Sequence, residues 1–255
     1  MSSRRRFIQS LSLAAASSLL GCSRAGTNGD SGEFAETTDD LPAAAEVPVP
    51  PFTTEGTVLG GQPVEVDLPL LQRVHELDAE MTRNRRPRFD FGFGYLGLEL
   101  ARELKNKGYW CTPRNSLAFG GNGGDGFHFS FLVTGSRIDA TTPVIGSAPD
   151  FSADPSLANV ILAETFENFL RLGLTRGYFG MYVFVHHRVK ALAAYGSPDW
   201  RPSDSSDEAA GLGIDDRKTD ITRDIAGALG LTPLAYSEGE FQDLQDQYKP
   251  LLRFK

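Results

Sequence analysis

Apolar positions in the segment after residue 67 fall at Leu70, Leu71, Val74, Leu77 and Met81, so one face of a helix with 3.6 residues per turn is apolar. The spacing predicts a helix over 68–84, with Asp67 as its N-cap and Pro87 as its stop. A second helix is predicted over 95–107, with Leu96, Leu100, Ala101 and Leu104 inward and Gly108 at the left-handed C′ position. Beyond Tyr109 the period shortens to two. Leu117 and Phe119 alternate, GNGGDG follows, and Phe127, Phe129 and Phe131 then alternate with His128, Ser130 and Leu132. This is the pattern of a β-hairpin closed by a glycine-rich loop, with the phenylalanines toward the core and His128 and Ser130 on the opposite face. Further strands are expected at 143–146 and 160–163. Thr165 then caps a helix carrying Phe166, Phe169 and Leu170, expected to stop at Gly173. Over 177–192 periodicity fits helix or strand, and helix is assigned. Residues 196–217 are polar and aperiodic, the mark of a surface loop. Two closing helices follow. One runs from Asp220 to Leu229 and ends at Gly230, and the other is opened by a Ser237/Glu240 capping box ahead of Phe241, Leu244 and Tyr248. Helix, then strands, then helix is the order of an α+β domain, with a small antiparallel-rich sheet flanked by N-terminal and C-terminal helices.

The N-terminal segment has a different pattern. Three consecutive arginines precede an apolar run from Leu11 to Leu20, which is about half the length that spans a bilayer as a helix, so the run is not a permanent transmembrane segment. Basic region, short apolar region and small residues succeed one another as in an export signal. Ser3 to Gln9, SRRRFIQ, resembles the twin-arginine motif, and Leu19-Leu20-Gly21-Cys22 resembles the lipobox of bacterial lipoproteins. That resemblance implies that Arg4 and Arg5 are read by the exporter. It also implies that Cys22 is acylated and becomes the mature N-terminus. Ser23 after the cysteine, in place of aspartate, implies the outer membrane where the cell has two. Residues 1–21 are thus read as the signal. Residues 22–63, acidic, proline-rich and poor in large apolar side chains, are read as a disordered tether with a span of roughly 30–40 Å. Residues 64–255 are read as the globular domain.

Charge narrows the choice of partner. A formal net charge of −8 and a pI near 5.1 oppose binding to nucleic acid and electrostatic adhesion to anionic lipid, which leaves the acyl chains on Cys22 as the means of membrane attachment. The basic cluster Arg83, Arg85, Arg86 and Arg88 is read as a solvated helix end. With Cys22 acylated, Cys111 is the other of the two cysteines and no intrachain disulfide can form.

Candidate chemistry gathers at GNGGDGFHF. One G-G-x-G-x-D copy is too few for a calcium-binding repeat, and the second acidic residue of a diguanylate-cyclase Gly-Gly-Asp-Glu-Phe hairpin is replaced by Gly126. A turn is favoured, because glycine, asparagine and aspartate tolerate positive φ and bond their own backbone. Asn122, Asp125 and His128 are nevertheless the candidate ligand-binding residues, since glycine loops on a rigid scaffold often carry function. Cys111 beside Tyr109 and Trp110 reads as a small buried hydrophobe. His186 and His187 are adjacent and diverge by about 100° on a helix or 180° on a strand, which does not suit one metal ion. No HExxH, GxSxG, CxxC or P-loop pattern occurs, so no catalytic residue, cofactor or metal is assigned.

TPRNSLAFGGNGGDGFHFSFL, TTPVIGSAPDF and LANVILAETFENFLRLGLTRGYFGM together resemble a family of uncharacterised bacterial proteins. The matching residues are Thr112, Pro113, Asn115, Ser116, Gly123 to Gly126, His128, Asn159, Val160, Phe169, Leu170 and Gly173. In layout that family is distantly similar to SUKH domains, α+β modules that bind other proteins. The resemblance implies a non-enzymatic binding module with an unknown protein partner, here exported and lipid-anchored at the cell envelope. The alternative is an envelope hydrolase using Asp125, His128 and Cys111 around the hairpin. Metabolic labelling with palmitate is expected to mark the wild-type chain and not Cys22→Ala. Equal labelling, or an unlabelled full-length chain that keeps Met1, contradicts the anchor.

Overall fold

In the computed structural model, which describes residues 52–83, 92–124, 126–197, 199–200, 212–213 and 215–254, the phenylalanine alternation builds the centre of a five-stranded antiparallel sheet. Strand β1 is Val58–Leu59, β2 Gln62–Pro63, β3 Glu65–Val66, β4 Glu99–Lys105, β5 Ser116–Gly121, β6 His128–Leu132, β7 Arg137–Ile138, β8 Val144–Ser147 and β9 Asn159–Ala163. The large sheet has the order β4-β5-β6-β8-β9, while β1 pairs with β2 and β3 with β7 in two small sheets. Helices are α1 Pro69–Thr82, α2 Gly92–Tyr95, α3 Phe166–Arg176, α4 Val183–His186, α5 Arg188–Gly196, α6 Asp216–Leu229 and α7 Glu238–Tyr248. The expected α+β class is the observed one. Ahead of residue 64, Phe52 stacks on His75 with ring centroids 4.0 Å apart and Thr53 bridges to Glu103, so both residues pack on the fold.

Phe119 lies 4.6 Å from Phe131 and meets Phe166 and Phe169 of α3 edge-on at 5.2 and 5.3 Å. All four are fully buried, each stabilising by about 1.5–3 kcal/mol relative to exposure. The other sheet face is buried too. His128, Ser130, Ser147 and Asn159 lie under the 109–116 segment and the C-terminal tail, where Asn115 bonds the Leu251 carbonyl and the Arg253 amide. Gln245 of α7 closes the free edge of β9. Its side chain accepts from the Ile161 N–H at 3.0 Å and donates to the Ile161 carbonyl at 2.8 Å, as a neighbouring strand would.

Four local expectations need correction. Residues 99–105, expected in a helix, form edge strand β4, with Glu99 opposite Gly121 and Leu100 opposite Gly120. A Cβ at Gly120 would come within 2.8 Å of the Glu99 carbonyl, so that glycine lets β4 dock, and pairing overrides the helical propensity of ELARELK. Asp67 does not cap α1. Leu68 holds the N-cap position, Pro69 has no N–H to satisfy, and Asp67 pairs with Arg137 instead. Gly173 does not stop α3, which continues to Arg176 and ends at Gly177 with φ 84°. Glycine occurs at 173 because a Cβ there would lie 2.1 Å from the Tyr178 ring, whose hydroxyl is held by the Leu170 carbonyl at 3.1 Å. Finally, α6 starts at Asp216 rather than 220, with Asp215 as N-cap accepting from the Lys218 N–H at 2.7 Å.

Other expectations hold. Thr165 caps α3, the Ser237/Glu240 capping box opens α7, and Gly230 ends α6 in the left-handed conformation. Residues 179–196 are helical, as a 3-10 turn at Phe179–Tyr182 followed by α4 and α5, broken at His187. Of the 196–217 loop, Leu212 is fully buried and its carbonyl, with those of Ser197 and Trp200, accepts from the buried Arg176 guanidinium.

Gly173→Ala is expected to lower the free energy of urea unfolding by about 2 kcal/mol or more through overpacking against Tyr178. Gln245→Leu is expected to lower it by about 2–4 kcal/mol, because both Ile161 backbone groups lose their partner. Unchanged midpoints for both variants would contradict this packing.

Candidate functional site

The hairpin between β5 and β6 is closed by its own backbone and one side chain. Asn122 Oδ1 accepts the Gly124 N–H at 3.1 Å, the Phe127 N–H reaches the Gly124 carbonyl at 3.1 Å, and the Asn122 N–H reaches the Phe127 carbonyl at 3.3 Å. Gly123 and Gly126 take φ of 80° and 70°, which excludes larger side chains at low cost. Gly124 has neither positive φ nor any atom within 4 Å of a built Cβ, so its position at the tip is open. Asp125 lies outside the described residues, as do Arg4, Arg5, Cys22, Arg85, Arg86 and Arg88.

His128 opens β6 and is 2% exposed. Nδ1 lies 2.8 Å from the Gly126 carbonyl, which can only accept, so the partners assign the proton to Nδ1. Nε2 therefore accepts, and its partner at 3.2 Å is the Thr112 hydroxyl, which donates. The Tyr109 ring stacks on the imidazole at 5.5 Å. Burial pushes the His128 pKa down to about 4, against the opposing pull of the Gly126 carbonyl and with a small further contribution from Lys107. The imidazole is neutral near pH 7, with both nitrogens engaged.

Cys111 is fully buried, and desolvation raises its thiol pKa, so the thiol stays protonated. The residue that reaches His128 is Thr112 rather than Cys111. Register aligns His128 with Ser147 and Ser147 with Asn159 across β6, β8 and β9. Ser147 Oγ donates to Asn159 Oδ1 at 2.6 Å, and Asn159 Nδ2 donates to the carbonyls of Cys111 at 2.8 Å and Pro155 at 2.7 Å. This polar row fastens the 111–113 segment over the sheet.

Two cavities flank the hairpin. The first, about 350 Å³, is lined by Glu99, Lys107, Tyr109, His128 and the loop glycines. The second, about 220 Å³, is lined by Asn122, Asp150, Phe151, Phe179, Tyr182 and His186. The hairpin tip stands between them, with Gly124 and Phe127 on both walls. His128 thus faces one cavity and Asn122 the other, so the structure does not bring these two candidates to one point. His186 and His187 also separate, His186 packing between Phe151 and Tyr182 while His187 breaks the helix. Among the described residues no group of three or more His, Cys, Asp or Glu side chains could hold a metal ion. Sequence reasoning missed Asp150, Phe151, Phe179 and Tyr182 as cavity residues. The run GYFGMY, dense in aromatics beside glycine, is the signal that could have marked Phe179 and Tyr182.

Comparison of the chain with protein-family models, with curated proteins and with solved structures found no match.

Two histidines make stability depend on pH. Burial holds His75 and His128 each near pKa 4, against 6.5 when unfolded, so the unfolded chain binds more protons in that interval. Their contribution is fully present above about pH 6.5 and is lost as the pH falls toward 4, by up to about 3 kcal/mol per histidine. His128→Asn, which keeps a donor for the Gly126 carbonyl and does not titrate, is expected to flatten this limb of the unfolding free energy against pH. An unaltered slope would contradict the buried neutral imidazole.

Proposed function

We propose that this protein is an exported, lipid-anchored, non-enzymatic binding module of the cell envelope. Arg4 and Arg5 serve as the twin-arginine export signal, acyl chains on Cys22 attach the chain to the membrane, and the hairpin face engages a small ligand or a protein. No helix among the described residues is long and apolar enough to cross a membrane. The observation that carries the binding reading is the pairing of two open cavities beside the hairpin with reactive side chains that are committed inward. His128 spends both nitrogens on Gly126 and Thr112, and the Cys111 thiol is buried and protonated. A general base works best with a pKa near the operating pH, and His128 lies well below it. The resemblance to SUKH domains adds a protein to the classes of partner.

One contact favours the alternative, an envelope hydrolase. Thr112 Oγ donating to His128 Nε2, with Nδ1 oriented by a carbonyl, has the connectivity of an activated hydroxyl and its base. Gly124→Trp separates the readings, because the position accepts a side chain and borders both cavities. A ligand or protein retained by the wild-type chain from solubilised envelopes is expected to be lost by Gly124→Trp, with the unfolding midpoint unchanged. Equal retention by both chains overturns the binding face. Turnover of an ester or amide panel that disappears in Thr112→Val supports the hydrolase.

A further inference from the structure

The second cavity has a composition of its own. Phe127, Phe151, Phe179 and Tyr182 line it, and Phe151 and Phe179 are 36% and 38% exposed, so the rings are accessible from solvent. Its successive rings stand close to perpendicular. Phe151 meets His186 at 68°, His186 meets Tyr182 at 83°, and Tyr182 meets Phe179 at 85°. Rings at such angles face different directions and do not make the flat platform on which a sugar ring lies. Asp150 supplies the one carboxylate of the described lining, and no lysine or arginine is among the described lining residues. Burial and the neighbouring His187 hold His186 below the usual histidine pKa, so it adds no positive charge at neutral pH. The first cavity differs in carrying both Glu99 and Lys107.

Aromatic faces are electron-rich, and a compact cation enclosed by several of them is attracted through the ring quadrupoles. A carboxylate at the rim adds a complementary charge, on a chain whose net charge is already −8. We infer that the cavity between the hairpin and the Phe179–His186 segment is a binding site for a small organic cation, an alkylated ammonium group, with Asp150 as its counter-charge. The inference rests on the binding reading above and specifies the ligand class for one of its two cavities.

Choline is the probe and 3,3-dimethylbutan-1-ol, its neutral isostere, the control, titrated calorimetrically into the full mature chain in detergent. Choline is expected to bind saturably and at least about tenfold more tightly than the isostere, the difference that a cation–π and ion-pair contribution of this size produces. Asp150→Asn, an exposed substitution, is expected to weaken choline about tenfold, and Gly124→Trp is expected to block it. Equal affinity for choline and its isostere overturns the cation assignment and leaves the binding module standing. Choline binding that survives both substitutions overturns the location. Absence of choline binding, where an envelope ligand sensitive to Gly124→Trp is found, overturns the ligand class alone. Absence of both overturns the binding module as well.

Discussion

The structure depends on the central β5–β6 hairpin being buried on both faces. One face is apolar, and the phenylalanines of β5, β6 and α3 cover it without need of polar partners. The other face carries His128, Ser130, Ser147 and Asn159, and polar groups out of water are costly unless bonded. The protein meets that demand almost entirely from within. Asn159 fastens the 111 and 155 carbonyls, Thr112 and Gly126 take the two nitrogens of His128, and Asn115 takes the C-terminal tail. Ser130 Oγ is left without a hydrogen-bond partner among the described residues.

That constraint shapes the hairpin face. Of the residues that the sequence nominates, His128 and Cys111 are drawn into the covering layer, the imidazole neutral and the thiol protonated. What remains accessible is the hairpin tip and the cavities beside it, one charged and one aromatic. The open surfaces are rings and glycine backbone, joined by Glu99 and Lys107 in one cavity and by Asp150 in the other.

Local patterns were legible in the sequence and contacts between distant segments were not. The phenylalanine alternation, the Thr165 cap, the Ser237/Glu240 capping box and the glycine hairpin each depend on residues a few positions apart. Strand β4 was unreadable because ELARELK carries a helical pattern, and its partner Gly120 lies some 20 residues on, so the deciding interaction is not local. Gly173 looked like a helix stop for the same reason, since the Tyr178 ring that requires it is visible only once the chain has turned back. Among the candidate residues, Asn122 and His128 were found by their neighbourhood to glycine. Asp150, Phe151, Phe179 and Tyr182 come from segments with no shared sequence signature, and only folding assembles them.

The central claim is that His128 is a structural, neutral imidazole and not a working base. Nitrogen-15 NMR of the histidine side chains tests it most directly. The account predicts a His128 ring protonated at Nδ1 and unprotonated at Nε2 that persists at pH 6 and titrates only near 4. A His128 that titrates near 6.5, or carries its neutral proton on Nε2, would contradict it.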